Sequence, residues 1–163
     1  MTPLNNIALI TGAAGGIGRS LVRVFYDAGY RIIATDMAAQ PQDLHCTCFL
    51  QADLARFVED EAYASELISA IRNTLQGTGL NTLINNAAIQ ILGGAESITR
   101  QDWRTTLDVN LLAPFLLTQA LLPELEAAKG CVVNIGSIHA RLTKKNFVAY
   151  ATSKAALSGM VRA

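Results

Sequence analysis

Tyr150 and Lys154 stand four residues apart in the run Tyr-Ala-Thr-Ser-Lys, a spacing that brings a phenol and an ammonium to one face of a helix. An unperturbed tyrosine is a poor base at neutral pH, but a neighbouring positive charge favours the phenolate and brings it into range for proton transfer. The pair alone also arises by chance in helices that do no chemistry. A second group lies near the N-terminus, in Thr11-Gly12-Ala13-Ala14-Gly15-Gly16-Ile17-Gly18. Glycines there let the main chain turn sharply and approach a ligand, while the N–H groups and dipole at a helix start favour an anion such as a pyrophosphate. Asp36 lies eighteen residues past Gly18. That is about where a carboxylate takes the hydroxyls of an adenosine ribose and repels a 2′-phosphate. Met37, Ala38 and Ala39 follow, with no Arg or Lys to neutralise such a phosphate, so NAD is expected over NADP. A glycine turn or an acid at a strand end also has a purely structural reading.

These residues need a scaffold, and the chain alternates short β-branched runs with longer helical patterns, the signature of βαβ units and a parallel sheet. Strands are expected at Ile7–Thr11, Arg31–Asp36, Cys46–Gln51, Thr82–Asn85 and Cys131–Ile135. Their near-continuous apolar character suits strands covered on both faces. Helices are expected at Ile17–Ala28, with Gly29 as a stop, and at Glu61–Leu75, where Leu67, Ile68, Ile71 and Leu75 recur at helical spacing. One or two more span Ser97–Leu112, with Ser97 as N-cap, and Pro114–Ala128, and a last one begins near Tyr150. Gly77 and Gly79 break the chain between elements. The expected fold class is α/β, a doubly wound Rossmann-like parallel sheet of about five strands. Residues 1–163 contain no repeat or linker and read as a single domain.

Composition excludes several classes. Thirteen basic residues balance thirteen acidic ones, so the chain lacks the positive field of a nucleic-acid binder. No apolar run approaches the roughly 20 residues that span a bilayer, and no signal core opens the chain, so a cytoplasmic location is expected. Cys46, Cys48 and Cys131 lack the paired spacing of a zinc site, and no metal is expected; Cys46 and Cys48 read as small buried hydrophobes.

Taken together, these motifs resemble the classical short-chain dehydrogenase/reductase family over essentially the whole chain. Thr11 to Gly18 is similar to its Thr-Gly-x-x-x-Gly-x-Gly turn, and Asp53-Leu54 to its acid-aliphatic pair near the adenine. Asn85-Asn86-Ala87-Ala88 resembles its Asn-Asn-Ala-Gly segment, with Ala88 in place of the glycine, a change that alanine's poorer tolerance of positive φ bears on. Asp108-Val109-Asn110-Leu111 is similar to the segment with a helix-bending asparagine, and Ser137 lies thirteen residues before Tyr150.

The resemblance implies an oxidoreductase that moves a hydride between NAD(H) and a secondary alcohol or ketone. It implies Tyr150 as general acid or base, Ser137 as the group orienting the substrate oxygen, Lys154 as the ammonium that lowers the Tyr150 pKa and binds the nicotinamide ribose, and Asn110 as the holder of a water. The implied cofactor-binding set is Gly12, Gly15, Gly16, Ile17, Gly18, Asp36, Asp53, Leu54, Asn86 and Ala87, with Tyr150 and Lys154. His139, Arg141, Lys144 and Lys145 fall between Ser137 and Tyr150, where they would face the substrate or attract an anionic one; a solvated loop is the simpler reading. Trp103 reads as a packing residue.

The family pattern continues past Ala163 with two more strands, a helix and a substrate loop, so the chain is expected to be C-terminally incomplete, with Cys131–Ile135 an apolar sheet edge. A homo-oligomer, dimer or tetramer, follows as an expectation, built on that edge or on the final helix. A catalytically silent NAD-binding module and an assembly element are the competing readings.

Overall fold

A computed structural model of the chain describes residues 6–162. Its five strands are β1 (Ile7–Thr11), β2 (Arg31–Asp36), β3 (Cys48–Gln51), β4 (Thr82–Asn85) and β5 (Cys131–Asn134). They form one parallel sheet, as the alternating pattern predicts, in the Rossmann-like order β3-β2-β1-β4-β5 that the family resemblance implies. The chain crosses to a different side of β1 after β3. That reversal opens a crevice beyond the carboxyl ends of β1 and β4, where sheets of this kind take their ligands.

Strand alternation sorts β1 between two cores. Ile7 and Leu9 pack with Ile71 and Leu75 of α3 (Glu61–Leu75) and with Leu117 of α5 (Ala113–Ala120), whereas Ala8 and Ile10 pack with Val22 of α1 (Gly16–Asp27). Every β1 side chain is therefore buried. At about 1.5–3 kcal/mol for each fully buried aliphatic side chain, this double burial fixes the strand from which the glycine turn departs. β5 differs. It is an edge strand on which Cys131 and Val133 are exposed.

Several boundaries depart from expectation for physical reasons. α1 starts at Gly16, one residue early, and Gly29, at φ +84°, follows its end. A short helix, α2 (Leu54–Glu59), stands where no element is expected. Asp53 caps it, its carboxylate accepting from the N–H groups of Ala55 and Arg56. Thr99 caps α4 (Arg100–Leu107) rather than Ser97. Thr99 and Asp102 form a reciprocal capping box, while Ser97 Oγ accepts from the Gly94 N–H.

Residues Asp108–Leu112 then form a π-helical turn before α5, and α6 (Leu122–Ala128) completes the connection to β5. The final helix, α7 (Val148–Met160), begins near Tyr150 as expected. Cys46 precedes β3, and both it and Cys48 are half-buried rather than fully buried. Trp103 is half-buried on α4. No single helix among the described residues is long and apolar enough to cross a membrane.

Candidate functional site

The turn after β1 depends on two glycines for its shape. Gly12 has φ +64°, and a Cβ there would meet Ala87 Cα at 2.7 Å; a Cβ on Gly18 would run into the Gly12 carbonyl oxygen. Gly15 and Gly16 serve a different need. A Cβ on Gly16 meets nothing within 4 Å, and one on Gly15 only the Gly12 oxygen at 3.5 Å. Packing does not require their bareness, which leaves the start of α1 open to a ligand. No side chain caps that helix and no acid lies in its first turn, so its N–H groups and dipole face the opening uncompensated.

Thr11 and Asn86 hold the turn in place. Thr11 Oγ1 accepts from the N–H groups of Asn86 and Ala87, each at 3.0 Å. Asn86 Nδ2 donates back to the carbonyl oxygens of Thr11 (2.9 Å) and Gly12 (3.0 Å). Both amide protons of Asn86 are thus used to position the main chain. Thr11 was not among the candidates from sequence, although as the first residue of the glycine motif it was visible there. Ala88 stays outside the left-handed region, so the change from glycine introduces no strain.

A cleft of about 380 Å³ opens over this turn. Its walls include Gly12, Gly15, Gly16, Ile17 and Gly18 on one side, Asp36, Asp53 and Leu54 on another, and Asn86 and Ala87 at the end of β4. Asp36 is fixed at its rim, Oδ2 accepting from the Ala14 N–H and Oδ1 from the Ala38 N–H, both at 2.9 Å. Each oxygen keeps lone-pair capacity for a hydroxyl donor. Asp53 is held by its capping role, and its own N–H donates to the Tyr63 hydroxyl at 3.0 Å.

Beyond the end of β5 lies a second cluster. Lys154 is 2% exposed, and its Nζ donates to the Ile135 carbonyl oxygen at 2.8 Å. Burial pushes its pKa below the ordinary lysine value. Ser137 opens a single turn of 3-10 helix, Ile138–Ala140, and its Oγ accepts from the His139 N–H at 3.1 Å. That bond uses an oxygen lone pair and leaves the hydroxyl proton free to donate. The half-buried Tyr150 ring stands edge-on to His139 and Phe147, with centroids 6.0 Å and 6.3 Å away. Its hydroxyl has no hydrogen-bond partner among the described residues, Lys154 and Ser137 included.

Asn110 sits in the π-turn, wholly buried. Oδ1 accepts from the Ile89 N–H at 2.8 Å, and Nδ2 donates to the Ile89 carbonyl (2.9 Å) and to Ser153 Oγ (3.0 Å). Ser153 Oγ in turn donates to the Tyr150 carbonyl at 2.7 Å. The side chain therefore ties the loop after β4 to the helix that carries Tyr150, and for a water it retains an acceptor lone pair but no donor. Ser153 escaped the sequence reading, because its importance comes from a partner 43 residues away. Asp108, at the start of the same turn, is buried; desolvation foremost, then the nearby Glu59 carboxylate, pushes its pKa up, with Arg104 opposing.

A family model described as short chain dehydrogenase matches residues 6–163. Protein FixR of Bradyrhizobium diazoefficiens is 36% identical over 96% of this chain and 59% of its own, and D-threitol dehydrogenase of Mycolicibacterium smegmatis is 34% identical over 94% and 61%. The chain thus spans about three fifths of the length of these relatives. A crystal structure of a Brucella ovis oxidoreductase of the short chain dehydrogenase/reductase family, in complex with a partially ordered NAD, superposes with a TM-score of 0.86 at 32% identity, covering 97% of this chain and 75% of that one. Solved structures of this fold hold NAD in some cases and NADP in others.

Proposed function

The chain belongs to the short-chain dehydrogenase family, and from that premise we propose that it is the NAD-binding, catalytic part of an oxidoreductase of secondary alcohols and ketones. One observation carries the reading: a single cleft at the carboxyl ends of the strands gathers ten of the twelve cofactor-binding positions expected from the sequence, from Gly12 to Ala87, with Tyr150 and Lys154 outside its lining. The open Gly15–Gly16 start of α1 suits a pyrophosphate, and Asp36 suits the two hydroxyls of an adenosine ribose. The names of relatives support an alcohol substrate, D-threitol among them.

When bound, the nicotinamide supplies a hydride acceptor or donor. Ser137 directs its free proton at the substrate oxygen and orients it. Tyr150, as phenolate, takes the hydroxyl proton of an alcohol whose carbinol carbon loses its hydride; in reduction the phenol returns that proton to the forming alkoxide. Lys154 supplies the positive charge that favours the phenolate, and Asn110 fixes the helix bearing both residues. The whole forms one NAD-binding domain of a cytoplasmic enzyme.

Binding and turnover test this reading. Calorimetry with each cofactor, alongside NADH formation across a panel of alcohols, is expected to show NAD preferred and hydride transfer. Asp36→Ala is expected to narrow the preference for NAD over NADP by roughly tenfold, the effect of one charge-assisted contact. Equal affinity for both cofactors in the unmodified protein would contradict the role given to Asp36. Self-association is part of the same proposal. Val133 on β5 and Phe115 and Leu122 on the α5–α6 side are 40%, 45% and 47% exposed, and light scattering is expected to find a dimer or tetramer rather than a monomer.

A further inference from the structure

The neutral chain divides into parts of opposite sign. Residues 127–163 hold six Lys and Arg and no Asp or Glu, whereas residues 1–126 hold seven basic and thirteen acidic residues. The basic part is the one that contains Ser137 and Tyr150. Arg141, Lys144 and Lys145 are exposed on the segment between them. The ion pairs of the described residues, Arg19–Asp43, Arg56–Asp60 and Arg72–Glu124, all lie elsewhere.

Lys144 is not a lysine that simply trails into water. Its Nζ lies 4.9 Å from the centroid of the Phe147 ring, a cation–π contact with a side chain only 7% exposed. His139 stacks on the same ring at 4.2 Å, and both rings stand edge-on to Tyr150. The Gly93 N–H donates to the Asn146 carbonyl at 2.9 Å, which ties this segment to the loop after β4. An ammonium without a carboxylate partner is therefore held one aromatic ring away from the candidate proton-transfer group.

We infer that the site takes an alcohol or ketone that also carries an anionic group, carboxylate or phosphate, and that Lys144, backed by Arg141 and Lys145, holds that group beside Tyr150. The inference rests on the reading of Ser137 and Tyr150 as the reacting site. An unbalanced positive field draws anions in and raises their local concentration. One partly exposed cation contributes modestly to affinity and is screened by salt, so its removal shows in binding and salt dependence more than in the chemical step.

The test uses the full chain saturated with NAD+, which has no hydride to give to a ketone, with binding of ketone probes read by saturation-transfer NMR. The probes are a straight-chain series of keto acids, the keto alcohols in which the carboxylate becomes a hydroxymethyl group, and the phosphate esters of those alcohols. An anionic probe is expected to bind about tenfold more tightly than its matched keto alcohol, with the tighter of the two anionic arms naming the group. Raised salt is expected to shrink that preference. Lys144→Gln should reduce it severalfold, Lys144→Arg should retain it, and neither should alter NAD affinity. Equal binding of charged and uncharged probes, a preference indifferent to Lys144→Gln, or no ketone binding with NAD bound overturns the inference while leaving cofactor binding intact. Failure of the unmodified chain to bind NAD overturns the reading beneath it.

Discussion

Tyr150→Phe is expected to lower hydride transfer by roughly 10²–10⁴ while changing NAD affinity by no more than about twofold. The geometry separates the two effects. The Tyr150 ring packs through its edges against His139 and Phe147, contacts that phenylalanine repeats, and its hydroxyl supports no hydrogen bond among the described residues. Removing the oxygen therefore removes a proton carrier and little else. Lys154→Ala differs, because it deletes a buried side chain that donates to the Ile135 carbonyl. It is expected to damage cofactor binding and turnover together. Steady-state NADH formation set beside calorimetric NAD binding checks both, and full activity in the Tyr150→Phe protein would remove the proposed mechanism.

Residues whose role follows from local conformation were legible in the sequence. Gly12 needs its positive φ, and the run from Thr11 to Gly18 announces a strand, a turn and a helix in fixed order. The parallel sheet followed from the βαβ alternation, since parallel neighbours need crossovers, whereas the order of its strands was implied by the family resemblance. α3 was readable to the residue because Leu67, Ile68, Ile71 and Leu75 form an uninterrupted helical stripe.

Features that depend on distant partners were not legible. α2 is short, and its Asp53 cap resembles a loop acid until the two N–H groups that it accepts from are seen. Ser153 looks like any small helical residue until Asn110 is placed against it, and Asn86 reads as a ligand contact although both its amide protons serve the turn. His139 and Lys144 read as a solvated loop in sequence, because the packing of both on Phe147 leaves no periodic trace.

Asn110→Ala is expected to destabilise the protein by about 2–5 kcal/mol, since each buried polar group left without a partner costs about 1–3 kcal/mol. The amide is wholly buried and meets three groups that have few alternatives: the N–H and carbonyl of Ile89 and the hydroxyl of Ser153. In a chain of this size the loss corresponds to a fall in Tm of roughly 10 °C. Ser153→Ala should cost less, about 1 kcal/mol, because it loses one bond from Asn110 Nδ2 and one to the Tyr150 carbonyl but spares Ile89. The two residues share a hydrogen bond, so the double variant should be less destabilised than the sum of the singles, a coupling that separates a network from two independent core defects. Denaturant unfolding of the four proteins measures it. Additive losses would mean that Asn110 stabilises the loop after β4 without fixing α7. Coupled losses accompanied by weakened turnover, in preparations still folded at the assay temperature, would show that the orientation of Tyr150 is transmitted through this buried amide.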